Sequence, residues 1–164
     1  MNQLSMMKLA TKKTIIEKLL MKHHAISHLM QESEIRTVLE NLQITLDNNI
    51  NGDIVELGCN VGTTSLFIQR LLRFYGSNKT FHVYDSFEGL PEKTKEDKSK
   101  HSLEKIFKKG FIRVPKEELI SNFKIARLTL PKIHKGWFKN IPNKEYPKKI
   151  SFAFLDGDFY SSII

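Results

Sequence analysis

Glu56, Gly58 and Gly62 stand in the run Glu56-Leu57-Gly58-Cys59-Asn60-Val61-Gly62, directly after Ile54 and Val55. A carboxylate ending a strand and two glycines four residues apart let backbone approach a nucleotide-like cofactor at the start of the following helix. The pattern is not the dinucleotide Gly-x-Gly-x-x-Gly. Thr63 holds the third glycine's place, and a carboxylate just before the turn would repel a pyrophosphate. A cofactor with a sulfonium and an amino-acid tail tolerates that carboxylate. In such chemistry the acid ending the next strand accepts hydrogen bonds from both ribose hydroxyls, and Asp85, 29 residues after Glu56, is spaced for one intervening helix. Glycines after strands also serve simply as turns, so the run alone leaves that plainer reading open.

Positioning these groups takes a strand, a turn and a helix in that order. Asn51-Gly52 signals a turn, and Ile54-Val55-Glu56-Leu57 is too short for a helix and β-branched at its start, so it reads as a buried strand. Leu66, Phe67, Leu71 and Phe74 then mark one helix face that stops at Gly76. Phe81 to Tyr84 forms a second strand ending at Asp85, and residues 53–85 have the length of a strand-helix-strand crossover, which implies a parallel sheet. Two amphipathic helices precede it, marked by Ile15, Ile16, Leu19 and Leu20, and by Ile35, Val38, Leu39, Leu42 and Leu46. Further on, Ser102–Lys109 and Pro115–Phe123 read as helical, and Ile125–Leu130 and Ile150–Leu155 as strands. Glu92 to Lys100 is a charged surface loop. The division is thus N-terminal helices over 1–50 and a cofactor-binding domain over 51–164.

The 164 residues, 40% hydrophobic and 27% charged with 16 aromatics, supply one ordinary domain with a real core. Low Gly and Pro and a lone Cys59 exclude collagen-like, disulfide-stapled and fully disordered classes. No stretch reaches the roughly 18 apolar residues of a membrane span. A soluble, cytoplasmic protein is the expectation. The net charge of +8 gathers toward residues 132–149, which hold six Lys against Glu145. Only five of the 26 basic residues are Arg, the residue that reads phosphates bidentately, so the excess reads as a solvated surface rather than a nucleic-acid face. RNA as a substrate is kept as an alternative reading motivated by this charge, to be separated by salt dependence. His23, His24 and His28 lack the companions of a metal cluster. His82 alternates within a strand and reads as core, and Cys59 as a buried, inert thiol.

Three further segments are Asp85-Ser86-Phe87-Glu88-Gly89-Leu90-Pro91, Lys135-Gly136-Trp137-Phe138 with Ile141-Pro142, and Leu155-Asp156-Gly157-Asp158-Phe159-Tyr160-Ser161-Ser162. With the Glu56–Gly62 run and Gly110–Leu119, they make residues 35–164 resemble the macrocin O-methyltransferase family. The resemblance implies a class I, Rossmann-like α/β fold with a doubly wound, mostly parallel sheet. It also implies S-adenosylmethionine as cofactor, a sugar-like hydroxyl acceptor, and a divalent metal, usually magnesium. Carried over, Glu56, Gly58 and Gly62 resemble the methionine-end loop, Asp85 with Ser86 the ribose binder, and Gly136, Trp137 and Phe138 the wall near the adenine. Trp137 and Phe138 would serve equally as core aromatics. Asp156 resembles the first metal ligand, a role that suits a hard cation at a strand's C-terminal end. Asp158 would support the metal or accept the proton, unless the pair merely caps the next helix. His101, in the loop after Pro91, is a candidate general base.

The chain departs from the family where it stops, at Ile164. Family members continue through further strands, one with an Asp-Asp pair that completes the metal site. The sheet is therefore expected to be truncated after about the fourth strand, leaving an unpaired edge prone to self-association. The competing reading is a non-catalytic remnant or interaction module with at most residual cofactor binding.

Overall fold

The computed structural model describes residues 15–97 and 107–163. Helix α1 (15–22) and α2 (Glu32–Asp47) precede β1 (Asp53–Leu57), α3 (Thr63–Phe74) and β2 (Phe81–Asp85). Then come α4 (Lys116–Ile125), β3 (Lys132–Lys135), β4 (Ile150–Leu155) and the single turn α5 (Tyr160–Ile163). The strands form one parallel sheet in the order β3-β2-β1-β4. Its register sets Glu56 beside Val83 on one side and Phe154 on the other. This is a Rossmann-like α/β sheet, as the sequence predicts.

Period-2 alternation assigns the two faces. Ile54, Phe81 and Val83 share a core with Ile16 and Leu19 of α1, Leu39 and Leu42 of α2, Phe67 and Leu71 of α3, and Leu119 and Phe123 of α4. Residues on both sides of position 50 thus build one core. Each fully buried Leu or Phe contributes about 1.5–3 kcal/mol, and Phe67→Ala would cost about 3–5 kcal/mol. On the other face His82, His134, Tyr84 and Tyr146 form a ring stack, with centroids 5.2 Å (His82 and His134), 4.4 Å (His134 and Tyr84) and 4.6 Å (Tyr84 and Tyr146) apart. Tyr84 Oη donates to the Glu145 carbonyl at 2.9 Å. His82 is therefore a core residue, as expected.

One strand lies elsewhere than predicted. Ile125–Leu130 is not extended: Ile125 ends α4, and Arg127, at φ 53°, turns the chain back. The Arg127 and Leu128 amides donate to the Lys124 and Phe123 carbonyls, a Schellman closure. Its apolar residues Ala126 and Leu128 pack on the core from that turn. The third strand is Lys132-Ile133-His134-Lys135, an edge strand whose charged residues hide it from an apolar pattern. The helix predicted over Ser102–Lys109 falls mostly outside the described residues, and positions 107–109 are not helical. At the other edge β4 pairs, among the described residues, with β1 alone, and Ile150 and Leu155 are about half exposed (47% and 52%).

Candidate functional site

Going from β1 to β2 to β3 the chain moves one way across the sheet, and β4 returns on the far side of β1. The switch point between β1 and β4 is where open α/β sheets form a ligand crevice at the strands' C-terminal tips. A crevice of about 800 Å³ opens there. Glu56, Gly58, Asp85, Ser86, Gly136, Trp137, Phe138, Asp156 and Asp158, all singled out in the sequence, line it. Gly62 does not. It is the left-handed N-cap of α3 (φ 89°), where an added Cβ would overlap Leu119 of α4. His101 lies outside the described residues.

Glu56, the last but one residue of β1, lies on the face covered by α3 and is 1% exposed. Its Oε2 accepts a hydrogen bond from Ser65 Oγ at 2.5 Å. Burial pushes its carboxyl up to about 8; the Ser65 bond opposes this, and the Asp156 and Asp85 charges add to it. Gly58 follows at φ 88°, and an added Cβ would overlap the Asp156 backbone carbonyl oxygen. Close approach between the β1 and β4 ends therefore requires glycine.

Asp85 is committed largely to the protein itself. Its Oδ2 accepts from the Cys59 amide at 3.0 Å and the Asn60 amide at 2.8 Å, and its Oδ1 from the Phe87 amide at 2.8 Å. A carboxylate has about four acceptor positions, so roughly one is left for a ribose hydroxyl where the sequence suggested two. Asp156 is exposed at the rim, and desolvation with repulsion from Asp158 and Glu34 pushes its carboxyl up to about 6. Desolvation also raises Asp158, partly offset by a backbone hydrogen bond, with Asp85 adding to the rise. The Cys59 thiol is buried and held well above its usual range by burial and then by Asp85 and Glu56, so it is inert.

The crevice thus concentrates carboxylates within a chain of net charge +8, an arrangement suited to a cationic ligand beside the flat Trp137 and Phe138 side chains. For a metal the fit is partial. Asp156 and Asp158 are oxygen donors of the right kind. Among the described residues, however, no group of three or more His, Cys, Asp or Glu is arranged to hold an ion.

Sequence reasoning missed several wall residues. Ser27 to Met30, between α1 and α2, line the crevice, and Ser27 Oγ lies 3.0 Å from Thr63 Oγ1. Nothing in their types announced this. Asn60, in a left-handed conformation (φ 47°), donates from Nδ2 to the Ile112 carbonyl and ties the loop to the opposite wall. An Asn between two glycines is a signal for such a turn and could have been read.

Comparison with known proteins adds the family. The 8-demethyl-8-(2,3-dimethoxy-α-L-rhamnosyl)-tetracenomycin-C 4'-O-methyltransferase of Streptomyces olivaceus is 30% identical over 135 residues, covering 76% of this chain and 51% of that protein. Demethyldecarbamoylnovobiocin O-methyltransferase from Streptomyces niveus is 26% identical over 145 residues, covering 85% and 53%. The chain spans about half the length of the curated relatives it matches. The solved O-methyltransferase NovP superposes with a TM-score of 0.67 at 26% identity, over 78% of this chain and 55% of that one. A calicheamicin methyltransferase at 18% identity and TM-score 0.56, over 93% and 68%, shares the fold. Among the described residues no helix is long and apolar enough to cross a membrane. The macrocin-O-methyltransferase family model matches residues 23–164, and the chain belongs to that family.

Proposed function

We propose that this chain carries the cofactor half of an S-adenosylmethionine-dependent O-methyltransferase whose acceptor is a hydroxyl of a small, sugar-like natural product. The observation that carries the reading is the convergence of Glu56, Asp85 and Asp156 on one crevice at the β1/β4 switch point. The relatives named above methylate small natural products, which supports the acceptor class.

S-adenosylmethionine supplies a methyl group on a positively charged sulfur. Glu56, drawn toward its ionised form by a cation, binds the ammonium of the methionine end. Asp85 holds the loop and offers its remaining acceptor position to a ribose hydroxyl, with Ser86 beside it. Trp137 and Phe138 shape the adenine wall. At the rim Asp158 would take the proton of the acceptor hydroxyl, whose own oxygen would receive the methyl group that the cofactor supplies, with the electron pair of the broken bond left on sulfur. Desolvation makes Asp158 a better base than a solvated aspartate. Holding both reactants in line supplies much of the acceleration. A magnesium ion would draw on Asp156 and Asp158 and needs donors beyond the described residues.

The test is isothermal titration calorimetry of the full chain with S-adenosylmethionine. Saturable binding is expected, weakened at least tenfold by Glu56→Gln. Absence of binding by the unsubstituted chain would sink the proposal. A second reading, cofactor binding without turnover, is favoured by the lack, among the described residues, of a group of three metal-holding side chains that includes Asp156 and Asp158. It is separated by methyl transfer to a deoxysugar acceptor: turnover by this chain alone removes it.

A further inference from the structure

Backbone amides that converge between a strand and a helix N-terminus form the usual cradle for a nucleotide phosphate. From Gly58 to Gly62 each amide already has an acceptor inside the protein. The Gly58 amide donates to the Tyr84 carbonyl at 2.8 Å, and the Gly62 amide to the Cys59 carbonyl at 2.7 Å. The Cys59 and Asn60 amides donate to Asp85 Oδ2 at 3.0 and 2.8 Å. The Val61 amide donates to the Asn60 side-chain oxygen at 2.8 Å. Five consecutive amides are spent within the fold, two of them on a carboxylate.

We infer that Asp85 and Asn60 are specificity-determining residues: their side-chain oxygens occupy the amides of residues 59–61, between two amides already spent on backbone carbonyls, so the crevice rejects phosphate-bearing nucleotides and accepts a phosphate-free nucleoside. A phosphate entering the loop would have to displace the like-charged Asp85 carboxylate, with Glu56 buried next to it at the end of β1. A nucleoside with a cationic tail meets no such conflict. The inference rests on the cofactor reading for its biological use, while the filling of the nest stands on the loop geometry.

The experiment uses the ligand-free full chain labelled with ¹⁵N, inorganic phosphate as probe, and adenosine against adenosine monophosphate as ligands. In the unsubstituted protein the Cys59, Asn60 and Val61 amides should exchange slowly with solvent and stay unmoved by phosphate. Adenosine monophosphate should bind no tighter than adenosine. In Asp85→Ala the first two amides should exchange about tenfold faster and shift saturably with phosphate. Asn60→Gly, which keeps the left-handed backbone without strain, should do the same for Val61. Adenosine monophosphate should then gain on adenosine.

Phosphate shifts at these amides in the unsubstituted protein, or their unprotected exchange, would overturn the inference. So would folded variants that still ignore phosphate. Should Asp85→Ala fail to fold, the unsubstituted protein and Asn60→Gly each remain decisive. Failure of the chain to bind S-adenosylhomocysteine or adenosine would remove the cofactor reading alone, since the phosphate shifts and exchange rates need neither.

Discussion

Ser65 Oγ donates to Glu56 Oε2 at 2.5 Å between the first turn of α3 and the end of β1, and both residues are at most 1% exposed. The bond fixes the buried carboxylate in the wall of the crevice and supplies it with a partner. In Ser65→Ala the carboxyl loses its donor, and a buried polar group left unmatched costs about 1–3 kcal/mol. A fall of that size in unfolding free energy, measured by urea titration, is expected together with weaker cofactor binding. An unchanged denaturation midpoint would show that water takes over the bond.

The same carboxyl gives the chain a pH dependence. Its folded value of about 8 lies above the ordinary 4.5. The folded state therefore keeps a proton that the unfolded chain releases, so stability from this group is present below pH 4.5 and declines as pH rises to about 8. Glu56→Gln should flatten that share of the melting-temperature profile. A bound cation favours the ionised form, so cofactor binding near neutral pH should release protons. Calorimetry in two buffers of different ionisation enthalpy reads this directly, and identical heats would refute it.

The legible parts of the sequence were those where one local signal agreed with the global packing. Gly76 announced the end of α3 because its left-handed turn (φ 57°) is one glycine adopts readily. The same closure at the ends of α2 and α4 is made by Asn49 and Arg127 (φ 50° and 53°), and Arg127 carries no signal of it. Ile125–Leu130 therefore reads as a strand in the sequence and is a turn in the structure. The real one, Lys132–Lys135, looked like surface because an edge strand buries little. In the site, Glu56, Asp85 and Asp156 were readable because strand ends fix them. The saturation of the loop amides by Asp85 and Asn60 was not, since it depends on where two side chains turn.

Gly58 should tolerate no side chain. At φ 88°, and with an added Cβ overlapping the Asp156 carbonyl oxygen, Gly58→Ala must strain the backbone and part the ends of β1 and β4. A stability loss of about 1–3 kcal/mol is expected, with cofactor affinity falling at least tenfold. Wild-type affinity in this variant would mean the strand tips do not form the binding surface.

His82 makes the fold sensitive to acid. Burial, then His134 and Lys132, hold its imidazole below the usual 6.5, against an opposing pull from Asp53. Its Nε2 stands 3.6 Å from Asp53 Oδ2, beyond hydrogen-bond reach. The unfolded chain therefore takes up a proton that the folded chain refuses, and stability falls as pH drops below about 6.5. His82→Phe keeps a ring in the stack with His134 and Tyr84 and should shrink the loss of melting temperature between about pH 7.5 and 5.5. An unchanged loss would assign the acid sensitivity elsewhere.

The outer edge of β4 should drive self-association of the 164-residue chain. It presents Ile150, Ala153 and Leu155 to solvent, and positions 151–155 contain neither the charges nor the proline by which edges are usually blunted. β3, at the opposite edge, carries Lys132 and Lys135 and is guarded. Sedimentation velocity should show larger species with rising concentration. Ala153→Lys, which puts a charge at the exposed position paired with Val55, should return the chain to a monomer without disturbing the crevice. A chain that sediments as a monomer at every concentration would show the edge to be inert, because neither variant nor parent would then differ.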